Sequence, residues 1–321
     1  MVQPHIPQAR MIGSLEVSAV GLGCNNFGMK LDQAQTTEVV SAAIDAGITY
    51  FDNADIYGAG QSEVMLGEAL KGRRDKVVLA TKFGHPTSLP DGTPGGSPAW
   101  IRKKIEESLT ALQTDRIDHY QLHMPDTDTP IAETLGTLDQ LVEEGKVLEL
   151  GCSNFSAAQL HEAAQASSTL GAARFVTCQN HYSLLKRNPE SEGVLDACAE
   201  TNVGFVPFFP LESGLLTGKY TKGEDLPENS RLKNWGKRAA AFIDDDRLDV
   251  VAELSAFAAG NGHTILELAM SWLAHNPRVT TVIAGATTPE QIASNVDAIG
   301  WVLNDDERAE VDRICAALDQ Q

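Results

Sequence analysis

The sequence predicts an α/β protein built as one (β/α)8 barrel of the TIM type, and two observations support this architecture. Eight short apolar or β-branched runs alternate with longer amphipathic segments along the 321 residues. Because a helix separates successive strands, the strands should be parallel with right-handed crossovers. An open dinucleotide-binding sheet would need a third glycine after its first strand, which the sequence GLGCNN at 21–26 lacks. Eight strands and about 250 residues of repeating units match the barrel, with the surplus in loops.

The predicted strands share a length of four to seven residues and a high content of apolar or β-branched side chains. They are residues 17–23, 49–52, 77–81, 117–122, 147–152, 176–180, 204–209 and 279–284. The clearest helices have apolar residues three and four positions apart. They are residues 33–46, 64–71, 100–112, 131–144, 157–166 and 194–200, and residues 305–318 are expected to form a closing helix.

Two long segments interrupt this alternation, and both are rich in glycine and proline. They are residues 84–98 and 211–243, and each directly follows a predicted strand. Loops after the strands of a (β/α)8 barrel lie on its C-terminal face, where such barrels carry their active sites. No change in composition indicates a domain boundary, so we expect residues 1–321 to form a single domain.

Composition excludes several classes of function. The formal net charge of −19 argues against binding to nucleic acid or to anionic membranes, because both require a basic surface. No apolar run approaches the roughly 18 residues of a membrane helix, and the N-terminus lacks the apolar core of a secretory signal. The five cysteines are widely spaced without a metal-binding pattern. We therefore expect a cytoplasmic protein with reduced thiols and no metal.

Four ionisable side chains lie at or just after the ends of three consecutive predicted strands. Asp52 and Tyr57 follow the strand at 49–52, Lys82 ends the next one, and His123 ends the third. In a barrel, these strand ends meet at one level on the C-terminal face. Each residue alone has an ordinary structural explanation, such as a loop cap or a packed aromatic ring. Their joint position predicts a catalytic group.

The chemistry that this group suits is carbonyl reduction. Addition of hydride puts negative charge on the carbonyl oxygen, which must then receive a proton. A free phenol has a pKa near 10, and a neighbouring ammonium favours the phenolate and lowers that pKa. We therefore expect Tyr57 to donate the proton, Lys82 to lower its pKa, and Asp52 to hold Lys82 charged. His123, as a neutral ring, would orient the substrate oxygen or assist the proton transfer.

These motifs resemble those of the aldo-keto reductase family over nearly the whole chain. The segment YFDNADIYG at 50–58, followed by Ser62-Glu63 and Leu66-Gly67, is similar to the family's first signature. The segments VLATK at 78–82 and DHYQLH at 118–123 resemble those that hold its lysine and histidine. The resemblance implies an NAD(P)H-dependent enzyme that reduces aldehydes or ketones, with Asp52, Tyr57, Lys82 and His123 as its catalytic tetrad.

The resemblance also implies a coenzyme site. Ser153, Asn154 and Gln179 would bind the nicotinamide carboxamide, Phe208 would stack on the ring, and the loop at 213–219 would cover the pyrophosphate. That loop is one residue too short for a phosphate-binding P-loop. The complete set of expected coenzyme contacts is Gly23, Cys24, Asn25, Ser153, Asn154, Gln179, Phe208, Pro210, Leu211, Ser213, Gly214, Lys219, Arg231, Gly285, Thr287, Gln291 and Asn295.

Four positions depart from the family pattern. Phe209 stands where relatives usually have a serine, and Gly285, Thr287 and Gln291 replace the lysines or arginines that often grip the 2′-phosphate. Arg231 lies where some relatives reach over with an arginine instead. The resemblance favours NADP(H), with NAD(H) as the alternative.

The substrate side is less defined by sequence. Phe27, Trp100, Met124 and Trp235 are the expected substrate contacts for a small carbonyl compound. Three other functions stay open: a non-catalytic nicotinamide-binding or redox-sensing subunit, a Schiff-base aldolase using Lys82, and a metal hydrolase built on His119 and His123. The last has no evident third ligand.

Overall fold

The computed structural model describes residues 10–228 and 230–318, apart from the side chains at 231, 235, 238, 240 and 241. A small antiparallel hairpin comes first, formed by β1 (Arg10–Ile12) and β2 (Leu15–Val17). The eight strands that follow pair in parallel. They are β3 (Val20–Gly23), β4 (Tyr50–Asp52), β5 (Val78–Phe83), β6 (Ile117–Leu122), β7 (Val147–Ser153), β8 (Phe175–His181), β9 (Gly204–Phe208) and β10 (Val282–Gly285).

These strands form a closed (β/α)8 barrel, which confirms the predicted fold. Their order is β10-β3-β4-β5-β6-β7-β8-β9, so sequential strands are neighbours. The barrel closes where Phe205 of β9 bridges to Val279. There the Phe205 N–H donates to the Arg278 carbonyl at 3.1 Å, and the Thr280 N–H donates to the Phe205 carbonyl at 2.8 Å.

Twelve α-helices lie within the described residues. They are α1 (Gln33–Asp45), α2 (Gln61–Ala69), α3 (Pro98–Ala111), α4 (Ile131–Glu143), α5 (Ala157–Leu170), α6 (Asn188–Ser191), α7 (Val194–Glu200), α8 (Arg231–Trp235), α9 (Asp245–Gly260), α10 (Ile265–Ala274), α11 (Pro289–Asp297) and α12 (Asp305–Cys315). Capping boxes begin four of them, as at Asp32 before α1 and Thr264 before α10. No helix in the described ranges is long and apolar enough to cross a bilayer.

The hairpin corrects the prediction of one strand over 17–23. Val17 belongs to β2, and the chain turns at Ser18, whose N–H donates to the Thr49 hydroxyl at 2.8 Å. Ile12 and Val17 pack in a cluster with inward-facing barrel residues such as Tyr50 and Val206. The hairpin therefore covers one end of the barrel and leaves the C-terminal ends of the strands for the site.

The barrel interior is partly polar. His119 is fully buried, with Nδ1 2.9 Å from the Tyr50 hydroxyl and Nε2 2.8 Å from the Thr177 hydroxyl. Because both ring nitrogens are engaged, His119 does not share a metal with His123. No group of three or more potential metal ligands occurs among the residues that the structure describes.

Candidate active site

The barrel register brings the predicted group of four together. Asp52 ends β4, Lys82 lies in β5, and His123 directly follows β6, where its N–H donates to the Phe83 carbonyl at 2.8 Å. Tyr57 begins a short 3-10 turn after β4. All four groups therefore lie at the C-terminal end of the barrel, although they span more than seventy positions of sequence.

Lys82 is the centre of the group. Its side chain is fully buried, and Nζ lies 2.6 Å from Asp52 Oδ2, 2.9 Å from the Asn53 carbonyl and 3.5 Å from the Tyr57 hydroxyl. Burial lowers the pKa of Lys82, but the charge of Asp52 and the interactions with Tyr57 together more than offset this and leave that pKa raised. The lysine is therefore a fixed cation beside the phenol.

Two glutamines hold the other oxygen of Asp52. Gln179 Nε2 donates to Asp52 Oδ1 at 3.0 Å, and Gln121 Nε2 donates to the same oxygen at 3.1 Å. The sequence analysis assigned Gln179 to the coenzyme alone and did not predict Gln121. With Lys82 on one oxygen and two amides on the other, the buried carboxylate is fully hydrogen-bonded, as a buried charge requires.

The pKa of Tyr57 is raised overall, whereas the sequence analysis expected Lys82 to lower it. Burial raises the pKa of Tyr57 by more than the Lys82 ammonium lowers it. The expected effect of Lys82 is present, but desolvation of the phenolate is larger. At neutral pH, Tyr57 is therefore the neutral phenol, which is the form that can donate a proton.

His123 is neutral, as expected. Burial, then the charges of Lys82 and His85, lower the pKa of His123 to about 2. Its ring meets Tyr57 edge-on, with centroids 6.2 Å apart, and the ring of His85 lies 4.8 Å away. The His123 Nδ1 atom is buried without a hydrogen-bond partner in the structure. A neutral imidazole beside the phenol can accept or donate one hydrogen bond.

A cavity of about 820 Å³ opens over these side chains. It runs from Tyr57 and His123 to the N-terminal end of α11. Most of the expected coenzyme contacts line it: Gly23, Asn25, Ser153, Asn154, Gln179, Phe208, Pro210, Leu211, Ser213, Gly214, Lys219, Gly285, Thr287, Gln291 and Asn295. Met124, an expected substrate contact, lines it as well.

The residues expected to bind the carboxamide are tightly organised. Asn154 has a φ of 63°, and its Nδ2 donates to Ser153 Oγ and to the His123 carbonyl, both at 3.0 Å. Ser153 Oγ in turn donates to the Gln179 carbonyl at 2.7 Å. These contacts tie the three residues to one another and to the strand end that carries His123.

The far end of the cavity carries groups suited to anions. Ser213 Oγ is buried without a hydrogen-bond partner, and Lys219 lines the same wall. At α11, Thr288 caps the helix and Pro289 occupies its first turn. Gln291 Oε1 accepts from the Thr287 N–H at 2.8 Å, and the described first turn contains the acidic Glu290. The N–H groups of Thr287 and Gln291 are therefore already bound within the protein, and the described first turn carries no cation.

Several predicted contacts lie away from the cavity. Cys24 is buried, with Sγ donating to the Leu22 carbonyl at 3.7 Å, and Phe27 is fully enclosed in the core. Trp100 is buried against Lys103 and Lys104 of α3, with their Nζ atoms 4.9 and 5.6 Å from its ring. Their positions after strands suggested a pocket, but their side chains pack inward. The side chains of Arg231 and Trp235 lie outside the described residues.

Other lining residues were not predicted. His85 follows β5 beside His123, and Ile56, Lys30 and Phe209 also face the cavity. The one available signal was position, since Phe209 directly follows β9 and His85 lies two residues after β5. Phe209 has a φ of 53°, and its ring meets the rings of His181 and Phe208 edge-on.

Comparisons with known proteins agree with the barrel fold. A model of the Aldo/keto reductase family matches residues 19–316. A probable voltage-gated potassium channel subunit beta from Oryza sativa subsp. japonica is 34% identical over 291 residues, covering 89% of this chain and 88% of that protein. An aldo-keto reductase from Bacillus subtilis (strain 168) is 33% identical, covering 94% and 90%. The solved structure of a glycerol dehydrogenase from Gluconobacter oxydans is similar with a TM-score of 0.79 and 30% identity, covering 96% and 95%.

Proposed function

The chain belongs to the aldo/keto reductase family, and from this premise we propose that it reduces an aldehyde or ketone to the alcohol with a nicotinamide coenzyme. One observation carries the proposal: a fully buried Lys82 lies between the Asp52 carboxylate and the Tyr57 hydroxyl, beneath a large cavity. Perturbed ionisable groups that converge in a cleft are typical of a catalytic site.

The residues present fit a dinucleotide. The cavity extends from the four candidate catalytic groups to the N-terminal end of α11, and its volume is that of a small-molecule site. Ser153, Asn154 and Gln179 would hold the carboxamide, and Phe208 would pack on the nicotinamide. The unpartnered hydroxyl of Ser213 and the ammonium of Lys219 would hold the pyrophosphate. When bound, the reduced coenzyme supplies the hydride that the protein lacks.

The chain's own residues would manage the proton and the charge. Tyr57, held as a neutral phenol by burial, donates its proton to the carbonyl oxygen, and the resulting phenolate lies beside the Lys82 ammonium at 3.5 Å. Asp52 keeps that ammonium in place with the help of Gln121 and Gln179. His123, uncharged, directs the substrate oxygen towards Tyr57 without adding a second cation.

We propose NADPH as the preferred coenzyme and NADH as the alternative. Thr287 and Gln291 line the cavity and can donate hydrogen bonds to a 2′-phosphate, and the backbone N–H groups of α11 favour an anion. Dissociation constants for both coenzymes at moderate salt test this preference. Tighter binding of NADPH would support the assignment, and equal binding would contradict it.

The test of the function is oxidation of NADPH or NADH by a panel of aldehydes and ketones, followed at the absorbance band of the reduced coenzyme. The same panel of alcohols, including polyols, is run with the oxidised coenzymes, because one structural relative is a glycerol dehydrogenase. Turnover of any carbonyl compound at rates above a Lys82→Met control supports the proposal. Coenzyme binding without turnover of any compound would contradict it.

A second candidate is a non-catalytic coenzyme-binding subunit, and the relative from Oryza sativa that is named a probable voltage-gated potassium channel subunit beta favours it. Tight coenzyme binding together with no turnover would support that role. A Schiff-base aldolase is less compatible, because imine formation needs a free amine and Lys82 is paired with Asp52 and the Asn53 carbonyl. Borohydride trapping of substrate on Lys82 would support the aldolase.

A further inference from the structure

The loop after β9 has an unusual backbone. Phe209, Glu212 and Ser213 have φ values of 53°, 45° and 57°, and Gly214 has a φ of 100°. Non-glycine residues rarely adopt positive φ, and they keep it only where their surroundings hold them in place. Three of them within five positions mean that something outside the loop fixes its shape.

The side chain of Glu212 connects the loop to the residues outside it that hold this shape, His181 and Ser183. Its side chain is buried, with a residue exposure of 6%, and Oε1 accepts from His181 Nε2 at 2.6 Å and from Ser183 Oγ at 2.5 Å. Ser183 Oγ also accepts from the Leu185 N–H at 3.1 Å, so the hydroxyl is itself held in place. The carboxylate thus ties the loop after β9 to the segment at the end of β8.

Most residues of the loop after β9 face the cavity, but Glu212 does not. Phe209, Pro210, Leu211, Ser213 and Gly214 line the cavity, whereas Glu212 does not. The two residues that Glu212 contacts, His181 and Ser183, do not line the cavity either. The loop therefore faces the proposed coenzyme site with its backbone and with the Ser213 hydroxyl. The buried Glu212 carboxylate binds the segment at the end of β8.

His181 extends this anchor to the ring-stacking position. Its imidazole stacks on Phe208, with centroids 5.4 Å apart and planes at 22°, and meets Phe209 edge-on at 5.5 Å. Phe208 also lines the cavity. A shift of His181 would therefore shift the aromatic wall against which the nicotinamide is proposed to pack.

We propose that Glu212 is a positioning residue that, through His181 and Ser183, holds residues 208–214 in their coenzyme-binding shape. This proposal rests on the proposed function, because it assigns these residues to coenzyme retention. Glu212 touches neither substrate nor reacting atoms. It sets how tightly and how long the coenzyme stays, so its loss acts on coenzyme binding and leaves the proton transfer by Tyr57 intact.

The experiment measures the dissociation constant and release rate of NADPH by coenzyme fluorescence and stopped flow. Glu212→Ala is compared with Glu212→Gln, whose amide oxygen can still accept from Ser183 and His181. Glu149→Ala is the matched control, because Glu149 accepts two bonds from Ser14, remote from the cavity. Ser183→Ala, which removes one of the two anchors, gives a second test if Glu212→Ala does not fold.

We expect Glu212→Ala to weaken NADPH binding and speed its release roughly tenfold to hundredfold, as the loss of a buried hydrogen-bonded acceptor predicts. Glu212→Gln should restore most of the affinity, Ser183→Ala should be intermediate, and Glu149→Ala should bind like wild type. At saturating coenzyme, kcat of Glu212→Ala should not fall by more than about threefold, with the defect in the coenzyme KM.

Equal NADPH affinity in Glu212→Ala and wild type would overturn the proposal, as would a loss in Glu212→Gln as large as that in Glu212→Ala. If the wild-type chain binds neither NADPH nor NADH, the proposed function itself fails and this inference falls with it. The two failures are therefore distinguishable, because only the first occurs in a chain that binds coenzyme.

Discussion

Replacement of Lys82 by methionine should destabilise the protein in a way that a second substitution largely reverses. Methionine fills a similar volume, but it leaves the buried Asp52 carboxylate without the ammonium that lies 2.6 Å from Oδ2. Breaking a buried ion pair by removing one partner typically costs about 3–5 kcal/mol, since a charge stays buried and unpaired. The lost bond to the Asn53 carbonyl adds to this cost.

The size of the effect on melting follows from the length of the chain. An unfolding entropy of about 2.1 cal/mol/K per residue gives roughly 0.7 kcal/mol/K for 321 residues. A loss of 3–5 kcal/mol should then lower Tm by about 4–7 °C. Since Gln121 and Gln179 still donate to Oδ1, the lower end of this range is expected.

Calorimetry or circular dichroism of Lys82→Met, Asp52→Asn and the double variant measures the coupling. The double variant should melt above Lys82→Met, because no charge stays buried, and yet it should have no carbonyl reductase activity. Lys146→Met is the matched control, since its ion pairs with Glu106 and Glu144 are solvent-exposed and contribute little to stability. A Lys82→Met protein that melts like wild type would refute the reasoning. A double variant that melts below Lys82→Met would refute it as well.

Two further predictions concern stability. Burial raises the pKa of Glu63 to about 7, and the Thr81 hydroxyl lies 2.6 Å from its Oε1. The stabilising contribution of protonated Glu63 is therefore complete below the pKa that Glu63 has in the unfolded chain, and it is lost as pH rises through about 7. Since glutamine stays uncharged, Glu63→Gln should be more stable than wild type at pH 8.5 by up to about 3 kcal/mol. Thermal melts at pH 5.5 and 8.5 with the same pH dependence for both proteins would contradict this. Gly151→Ala should cost about 1–3 kcal/mol, because its Cβ would lie 2.6 Å from Thr177 Oγ1 and closer still to His119 Nε2. Gly136→Ala in α4, where nothing lies within 4 Å, should instead stabilise by up to about 1 kcal/mol, and equal melting of the two variants would disprove this contrast.

The sequence was most informative where chemistry and strand order coincide. Alternating strands and helices predicted the barrel, and the ends of three consecutive strands placed Asp52, Lys82 and His123 at one level. Strand order alone was sufficient for this, since parallel neighbours have their C-terminal ends on one face. The structure brings Tyr57 to the same place from the loop after β4.

What the sequence could not show depends on tertiary contacts. The hairpin strands are three residues each, too short for a periodic pattern, and the helices α9 and α10 were not among the clear amphipathic segments. Gln121 could not be assigned to Asp52 without the strand register. The contact between His181 and Glu212 joins residues that are 31 positions apart in separate segments. Phe27 and Trp100 pack inward, because a position after a strand does not fix where a side chain points.

The most direct test of the proposed chemistry is a comparison of Tyr57→Phe with wild type in coenzyme binding and in single-turnover reduction of an aldehyde. Phenylalanine keeps the ring beside His123 and removes only the hydroxyl that lies 3.5 Å from Lys82 Nζ. If Tyr57 is the proton donor, the variant should bind the coenzyme like wild type and reduce the aldehyde about 10²–10⁴-fold more slowly. Full single-turnover activity in Tyr57→Phe would contradict the assignment.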